Sequence, residues 1–332
     1  MTIDAPFPYF GGKKKVAPII WAALGDVDHY IEPFFGSGAT LLQRPHVARL
    51  ETVNDMDGLL ANFWRAVRAD PDAVAHAADW PCNEADLHAR HLWLVGQRER
   101  ITERLMGDPD WFDAKLAGWW VWGACNWIGG GWCSGAGPWV SVDGVMTDSR
   151  QLPHLGNAGR GVNRKLPHLG DAGRGDFIRE WFAALSDRLR GVRVACGGWQ
   201  RVCGPSVRNA GGSVCGVFLD PPYDIGMRAN CYAIETSVAG DVLQWCQENG
   251  NEAGLRIVLA GYDGEHNVLE NAHGWRSVAW KTQGGYAMIG DGRGRENSAK
   301  ERIWLSPHCV DTATAPSVPL PPSMPCQQEY DL

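Results

Sequence analysis

Four consecutive residues, Asp220-Pro221-Pro222-Tyr223, present an unusual set of groups to a ligand. The two prolines remove two N–H donors and stiffen the backbone, so the Asp220 carboxylate and the neighbouring carbonyls can face one point in space. Tyr223 adds an aromatic plane. Two acceptors and a ring suit a planar exocyclic amine: the acceptors take its two N–H bonds and the ring stacks on the heterocycle. Asp-Pro also starts ordinary turns. Here, however, it follows Val214 to Leu219, an apolar run that reads as a buried strand. A second loop, Glu32-Pro33-Phe34-Phe35-Gly36-Ser37-Gly38, follows the short strand His29 to Glu32. Gly36 and Gly38 allow a tight turn and close approach of backbone to ligand, although Gly-x-Gly alone is common to many nucleotide sites. Asp55 stands where other doubly wound nucleotide sites accept ribose hydroxyls. An Asp there could equally cap a helix, and Asn54 and Asp55 as a pair can serve both roles.

These loops need strands to hold them. Phe7-Pro8-Tyr9-Phe10 leads into the Gly11-Gly12 turn, and Lys13, Lys14 and Lys15 open an apolar helix from Val16 to Leu24. After the glycine loop a helix begins at Ala39. A strand from Ala48 to Val53 then leads to Asn54-Asp55-Met56-Asp57. Leu59, Leu60, Phe63, Trp64 and Val67, spaced three and four apart, predict a helix. Strand, turn, helix, strand, acidic residue is the opening of a doubly wound α/β sheet. The pattern resumes with a helix over 176–189 and strands at 192–194, 214–219, 255–260, 277–280 and 301–305. The proline-rich stretch after Ser306 reads as a disordered tail.

Between these halves the alternation stops. A helical stretch from Leu87 to Leu105 gives way to a Trp/Gly-rich and then a Gly/Pro/Arg-rich segment. Leu152-Pro153-His154-Leu155-Gly156-Asn157-Ala158-Gly159-Arg160-Gly161 recurs as residues 166–175, with Asp171 in place of Asn157 the sole change. Its glycines and prolines exclude a regular helix and predict turns or an extended hairpin. From Arg150 to Gly175 the basic residues Arg150, Arg160, Arg164, Lys165 and Arg174 face one acidic residue, Asp171, a net +4. A Gly-rich, Arg-tipped loop of this kind suits phosphates or base edges in a DNA groove.

Composition sets the limits. With 332 residues, 45% hydrophobic and 21% charged, the chain is an ordinary globular protein with room for one large domain carrying an insertion. No apolar run is long enough for a membrane span, and the N-terminus lacks a secretory signal, so a cytoplasmic setting is expected. The ten cysteines include no Cys-x-x-Cys pair, and no metal is expected. A net charge of −7 argues against indiscriminate nucleic-acid binding but allows a local basic groove. Of the 17 tryptophans, seven fall between Trp111 and Trp139. Most should pack in the core, and one or two could stack on bases.

The order of these parts resembles the Dam-type, or D12-class, DNA adenine-N6 methyltransferases. An aromatic-Gly-Gly-Lys motif (Phe7 to Lys13) is followed by the Glu32–Gly38 loop, Asp55, a long insertion and Asp220-Pro221-Pro222-Tyr223. The resemblance covers 6–75 and 190–306. It implies a class I methyltransferase fold, with a mostly parallel seven-stranded sheet split into 1–75 and 191–308, an inserted recognition region at 76–190, and a tail at 309–332. It implies S-adenosylmethionine held by Tyr9, Phe10, Gly11, Gly12, Lys13, Glu32, Pro33, Phe34, Phe35, Gly36, Ser37, Gly38 and Asp55. The target adenine of double-stranded DNA would be flipped into the pocket. Asp220 and the Pro221 carbonyl would hold N6, with Pro222 shaping the turn and Tyr223 stacking. The resemblance also implies the cytoplasm of a bacterium or a phage-infected host. Methylation of cytosine N4, transfer of a group other than methyl to a base amine, methylation of RNA, and a DNA-binding protein on an inactive scaffold are the competing expectations. The insertion matches no recognition pattern, so the target sequence is open.

Overall fold

The first half of the chain builds a strand-and-helix layer around a buried apolar core. In a computed structural model, residues 3–7, 9, 12–47, 49–108, 110–127, 132–133, 139–142, 145–148, 175–222, 238–280 and 301–311 are described. Helix α1 (Ala17–Leu24) carries Pro18 in its first turn, where a missing N–H breaks no helical bond. Gly25, at φ 64°, ends it. Strand β1 (His29–Glu32) is buried along its whole length and leads to the short α2 (Ala39–Leu42). Strand β2 runs from Leu50 to Asp55, and Asp57 caps α3 (Gly58–Ala69) by accepting the Leu59 N–H at 2.9 Å. The cap is therefore Asp57. Asp55 is the last residue of β2, paired with Cys196 across the sheet.

Helices α4 (Pro71–Ala78), α5 (Glu84–Gly107) and α6 (Ala114–Asn126) follow. A two-stranded antiparallel hairpin, β3 (Trp139–Val142) with β4 (Val145–Asp148), comes next, then α7 (Gly175–Leu189). Strand β5 (Val192–Cys196) leads through two single turns, α8 (Gln200–Cys203) and α9 (Pro205–Arg208), to β6 (Cys215–Leu219). The last elements are α10 (Ala239–Asn249), β7 (Leu255–Tyr262), α11 (Asn267–His273), β8 (Arg276–Ala279) and β9 (Glu301–Leu305). The repeated segment at 152–161 and 166–175 lies outside the described residues except for Gly175, the first residue of α7. The tail beyond 311 lies outside them too.

Seven strands form one sheet in the order β5-β2-β1-β6-β7-β9-β8, parallel except where β9 runs antiparallel to both neighbours. The chain winds outward from β1 through β2 to β5, then returns to the other side of β1 as β6. The winding reverses between β1 and β6, which is where open α/β sheets bind ligands. Ile31 pairs with Val217, so Pro33 and Leu219 leave the sheet side by side. The two loops singled out from the sequence are thereby brought together by register.

One hydrophobic core joins the sheet to the helices of 76–190. Phe7, 1% exposed, meets Phe63, Trp64 and Trp120 at ring-centroid distances of 5.4, 5.8 and 4.9 Å, and Phe63 meets Phe182 of α7 at 6.0 Å. Two glycines in α6 are contact points. A Cβ at Gly118 would lie 2.5 Å from that of Ala77, and one at Gly123 would lie 1.9 Å from the Trp132 ring.

A buried ion network fastens α7 to β2. Glu51 accepts from Arg188 at 2.6 and 2.9 Å and from Arg44 at 3.1 Å, while Arg44 also reaches the Val27 carbonyl at 2.8 Å and Arg188 the Leu41 carbonyl at 3.1 Å. Arg44 and Glu51 side chains are 1% and 2% exposed. Removing the shared carboxylate strands two guanidinium charges. Glu51→Ala is expected to destabilise the protein by about 3–5 kcal/mol, read as a shift in the urea unfolding midpoint. A loss below roughly 1 kcal/mol would mean that water reaches the arginines.

Candidate active site

Three strand-end loops meet over the sheet, and the side chain of Asn54 ties them. Its Nδ2 donates to the carbonyls of Pro33, after β1, and Gly197, after β5, at 3.0 and 2.9 Å. Backbone bonds from Phe35 N–H to the Asn54 carbonyl and from Gly197 N–H to the Asp55 carbonyl, both 3.0 Å, complete the tie. The glycine loop is shaped by its own aromatics. Gly36 and Gly38 take φ 49° and 68°, a region that disfavours residues with a Cβ. An added Cβ would lie 2.8 Å from the Tyr9 ring at Gly36 and 2.7 Å from the Phe35 ring at Gly38. The Trp64 indole N–H holds the Gly36 carbonyl at 3.1 Å.

Asp55 faces this loop from the end of β2. Its two oxygens accept the N–H groups of Gly36 and Asp57, each at 3.0 Å. Burial pushes its pKa up to about 6 in spite of those bonds. Glu32 is 3% exposed, and its Oε2 accepts the Tyr30 hydroxyl at 2.9 Å. Burial drives its carboxyl well above the usual range, the Tyr30 bond pulls it back, and the nearby Asp220 charge raises it further. Asp220 follows β6, and its Oδ2 lies 2.9 Å from Nζ of Lys13, which is itself 3% exposed.

These groups open on one cleft. Of the residues singled out from the sequence, Tyr9, Gly12, Lys13, Glu32, Pro33, Phe34, Phe35, Gly36, Ser37, Asp55, Asp220 and Pro222 line it. Gly38 and the buried Pro221 shape its loops from behind. Phe10, Gly11 and Tyr223 lie outside the described residues, as do Arg150, Arg160, Arg164, Lys165 and Arg174.

The cleft also has walls that the sequence reading missed, among them Thr40, Met56, Asp57, Gly197 and Trp199. Trp199 ends the Gly197-Gly198-Trp199 turn after β5, the third strand-end loop of this half-sheet, and that strand-Gly-Gly-aromatic pattern was the available signal. Its ring lies 6.2 Å from Phe34. Thr40 Oγ1, Asn54 Oδ1 and Trp199 Nε1 are buried polar atoms with no hydrogen-bond partner among the described residues. All three residues line the cleft. Such atoms, beside a ring wall and a carboxylate, fit an amino-acid-bearing nucleoside such as S-adenosylmethionine.

Cys196, at the edge of this region, has its thiol pushed up to about 11, chiefly by burial, and is a poor nucleophile. Among the described residues, no group of three or more His, Cys, Asp or Glu side chains could hold a metal ion, and no helix is long and apolar enough to cross a membrane.

Residues 9–87 match the family model of the D12 class N6 adenine-specific DNA methyltransferases. The matched segment contains the glycine loop, Asn54 and Asp55. A comparison with curated proteins finds no match. The family match indicates a DNA adenine methyltransferase with S-adenosylmethionine as methyl donor, and the seven-stranded, mostly parallel sheet fits the class I methyltransferase fold.

A charged carboxylate accepts hydroxyl hydrogen bonds more strongly than a neutral carboxyl, so a cofactor that donates its ribose hydroxyls to Asp55 should favour the ionised form. With a pKa of about 6, affinity is expected to rise with pH up to that value and then level off. Calorimetry with S-adenosylhomocysteine should show close to tenfold weaker binding at about pH 5 than above pH 7, and Asp55→Asn should weaken binding and flatten the profile. A flat profile in the unaltered protein would remove Asp55 from ribose binding.

Proposed function

We propose that this cleft brings S-adenosylmethionine and a flipped-out adenine of double-stranded DNA together, with Asp220-Pro221-Pro222-Tyr223 holding the base amine. The observation that carries this reading is the shared opening of the Glu32–Gly38 loop and Asp220 on one cleft, set by the pairing of β1 with β6.

On the cofactor side, Tyr9, Gly12 and Lys13 line the cleft, and Phe10 and Gly11 of the same motif are assigned to cofactor binding in this reading. Glu32 to Gly38 form the floor, and Asp55 accepts from the ribose. S-adenosylmethionine held by these residues would supply an electrophilic methyl to which the N6 lone pair could bond, the C–S bonding pair returning to sulfur. The lone pair of an adenine amine is delocalised into the ring and poorly nucleophilic. Asp220 and the Pro221 carbonyl accept the two N6 protons, which raises electron density on nitrogen and fixes its direction. Tyr223 stacks on the ring and keeps it in the plane this requires. Asp220 accepts the proton that N6 sheds as it is alkylated. No covalent enzyme intermediate is needed.

Recognition of the duplex falls to the region 76–190. Arg150, Arg160, Arg164, Lys165 and Arg174 supply phosphate or base-edge contacts in this reading. The setting proposed with this reading is the cytoplasm of a bacterium or of a phage-infected host.

Two experiments test this. Purified protein with labelled S-adenosylmethionine and plasmid DNA should yield labelled N6-methyladenine on nucleoside analysis. Asp220→Ala should lower transfer by at least about a thousandfold with cofactor affinity within roughly threefold of the unaltered protein. Label appearing only in N4-methylcytosine would defeat the adenine reading, and loss of cofactor binding in the variant would make Asp220 structural. Separately, the Arg160→Ala/Arg174→Ala double variant should weaken DNA binding and reduce the slope of log affinity against log salt by about 1 to 2. An unchanged slope would take the repeat out of DNA contact.

A further inference from the structure

We propose that Arg98 is a positioning residue for cofactor binding: it clamps Asp57 and so fixes the turn on which Asp55 is presented to the ribose. This rests on the reading of Asp55 as the ribose acceptor. Arg98 belongs to the region 76–190, which thereby takes a part in holding the cofactor as well as the DNA.

The guanidinium of Arg98 bridges two elements from its place on α5. Nη1 donates to Asp57 Oδ1 at 2.5 Å, and Nη2 donates to the Cys133 carbonyl. Cys133 is held on its other side too, because its N–H donates to His91 Nδ1 at 3.2 Å. His91 and Arg98 are two helical turns apart and share a face of α5. Cys133 is 1% exposed and takes φ 56°, so the carbonyl that aims Nη2 is itself fixed. Asp57 Oδ1 also accepts the Leu59 N–H at 2.9 Å. The ties continue toward the ligand. The Asp57 N–H donates to Asp55 Oδ1, and the Gly36 N–H donates to Asp55 Oδ2, each at 3.0 Å. Two short hydrogen bonds, joined through Asp57, therefore connect the guanidinium to the ribose acceptor.

The charge of Arg98 matters as well as its grip. Asp55 and Asp57, with one residue between them, both line the cleft. Two carboxylates this close disfavour each other's charge. Among the described residues, Asp55 accepts backbone N–H groups alone, while Asp57 has Arg98 as its ion-pair partner. A cation bonded to Asp55 would take up oxygens that the ribose needs. One bonded to Asp57 offsets the pair and leaves those oxygens to the ligand. Asp57 caps α3, and the helix N-terminus favours its charged form. Without Arg98, the repulsion between the two would therefore fall on Asp55. The Asp57 charge already raises the Asp55 carboxyl, after burial and against the backbone bonds. The other ionisable groups around this turn are Cys196 of β5, Arg65 of α3 and Arg201 of α8, with Glu32, Lys13 and Asp220 across the cleft. Cys196, pushed up to about 11 by burial, stays neutral in the range where Asp55 titrates.

The test is the pH profile of S-adenosylhomocysteine binding to the full chain, measured by calorimetry. In the unaltered protein the midpoint should lie at about 6. Arg98→Gln, which keeps a donor and loses the charge, is expected to move that midpoint up by about one pH unit. Binding is then about threefold weaker at about pH 6.5 and nearly restored at about pH 8. A packing defect would instead weaken binding by the same factor at every pH. Asp57→Asn keeps the helix cap and removes the neighbouring charge. In that background Arg98→Gln should move the midpoint by less than roughly 0.3, whereas an effect exerted on Glu32 would persist. An unmoved midpoint in Arg98→Gln, or an equal shift in both backgrounds, would overturn the proposal. Should Arg98→Gln fail to fold, Asp57→Asn alone carries the test. With Arg98 left beside Asp55 and the like charge gone, its midpoint should fall by about half a pH unit or more, and an unmoved midpoint overturns the proposal. Failure of the Asp55 reading is separately visible as a flat profile in the unaltered protein. A normal profile that Arg98→Gln leaves in place removes the role of Arg98 alone.

Discussion

Everything at the cleft depends on three strand-end loops keeping a fixed separation, and a single buried amide sets it. Asn54, 1% exposed, spans from the Pro33 carbonyl to the Gly197 carbonyl. The glycine loop therefore cannot shift relative to β2 or β5 without leaving buried acceptors unpaired. Asp55, the next residue, adds a second tie by accepting the Gly36 N–H. Its carboxylate is thus oriented before any ligand arrives, which is how pre-organisation lowers the entropy lost on binding. Trp64 extends the same logic from the helix layer by holding the Gly36 carbonyl.

The helices of 76–190 are part of this support. Trp120 of α6 and Phe182 of α7 pack on the aromatic group around Phe7 and Phe63, and Arg188 of α7 reaches Glu51 in β2. Whatever the intervening segment touches, its two ends are anchored to the sheet that holds the cofactor cleft. The first end is anchored twice more. Arg98 donates to both Asp57, a cleft residue, and the Cys133 carbonyl. His91 accepts the Cys133 N–H at 3.2 Å while stacking on Trp127 at 4.9 Å. Burial holds the His91 pKa down at about 4, so it remains a neutral acceptor through the physiological range. Cys133 adopts φ 56° without being a glycine, a strained turn that those contacts hold in place.

Much of the sheet was legible because parallel strands buried on both faces read as short apolar runs ended by loop residues. β1, β6, β7 and β9 fall within a residue or two of where the sequence puts them. β2 runs two residues past its expected end because Asn54 and Asp55 still pair with β5, and polar residues there look like loop. The glycine loop, Asp55 and Asp220 were legible for the same reason: their types are unusual at strand ends. Helix α6 was not. It lies in the Trp/Gly-rich window, where Gly118 and Gly123 suggest breaks but serve as close contacts with Ala77 and Trp132. Trp199 was hidden differently: the Gly-Gly-aromatic turn marks the end of β5, but only the sheet order, with β5 beside β2, brings that turn to the cleft.

The charges around the cleft explain how an acidic chain can serve this reaction. Glu32, Asp55, Asp57 and Asp220 line the cleft against Lys13 as the cation among its lining residues, and Arg98 offsets Asp57. A ligand carrying a sulfonium, an ammonium and one carboxylate has a net positive charge and is drawn into such a field. Once the methyl is transferred the sulfonium is gone, so the same field holds the product less strongly than the donor. The carboxylates that make the cleft attractive are the ones burial tries to neutralise. Asp55 at about 6 and the raised Glu32 show that tension directly. Asp220 faces the Lys13 ammonium at 2.9 Å.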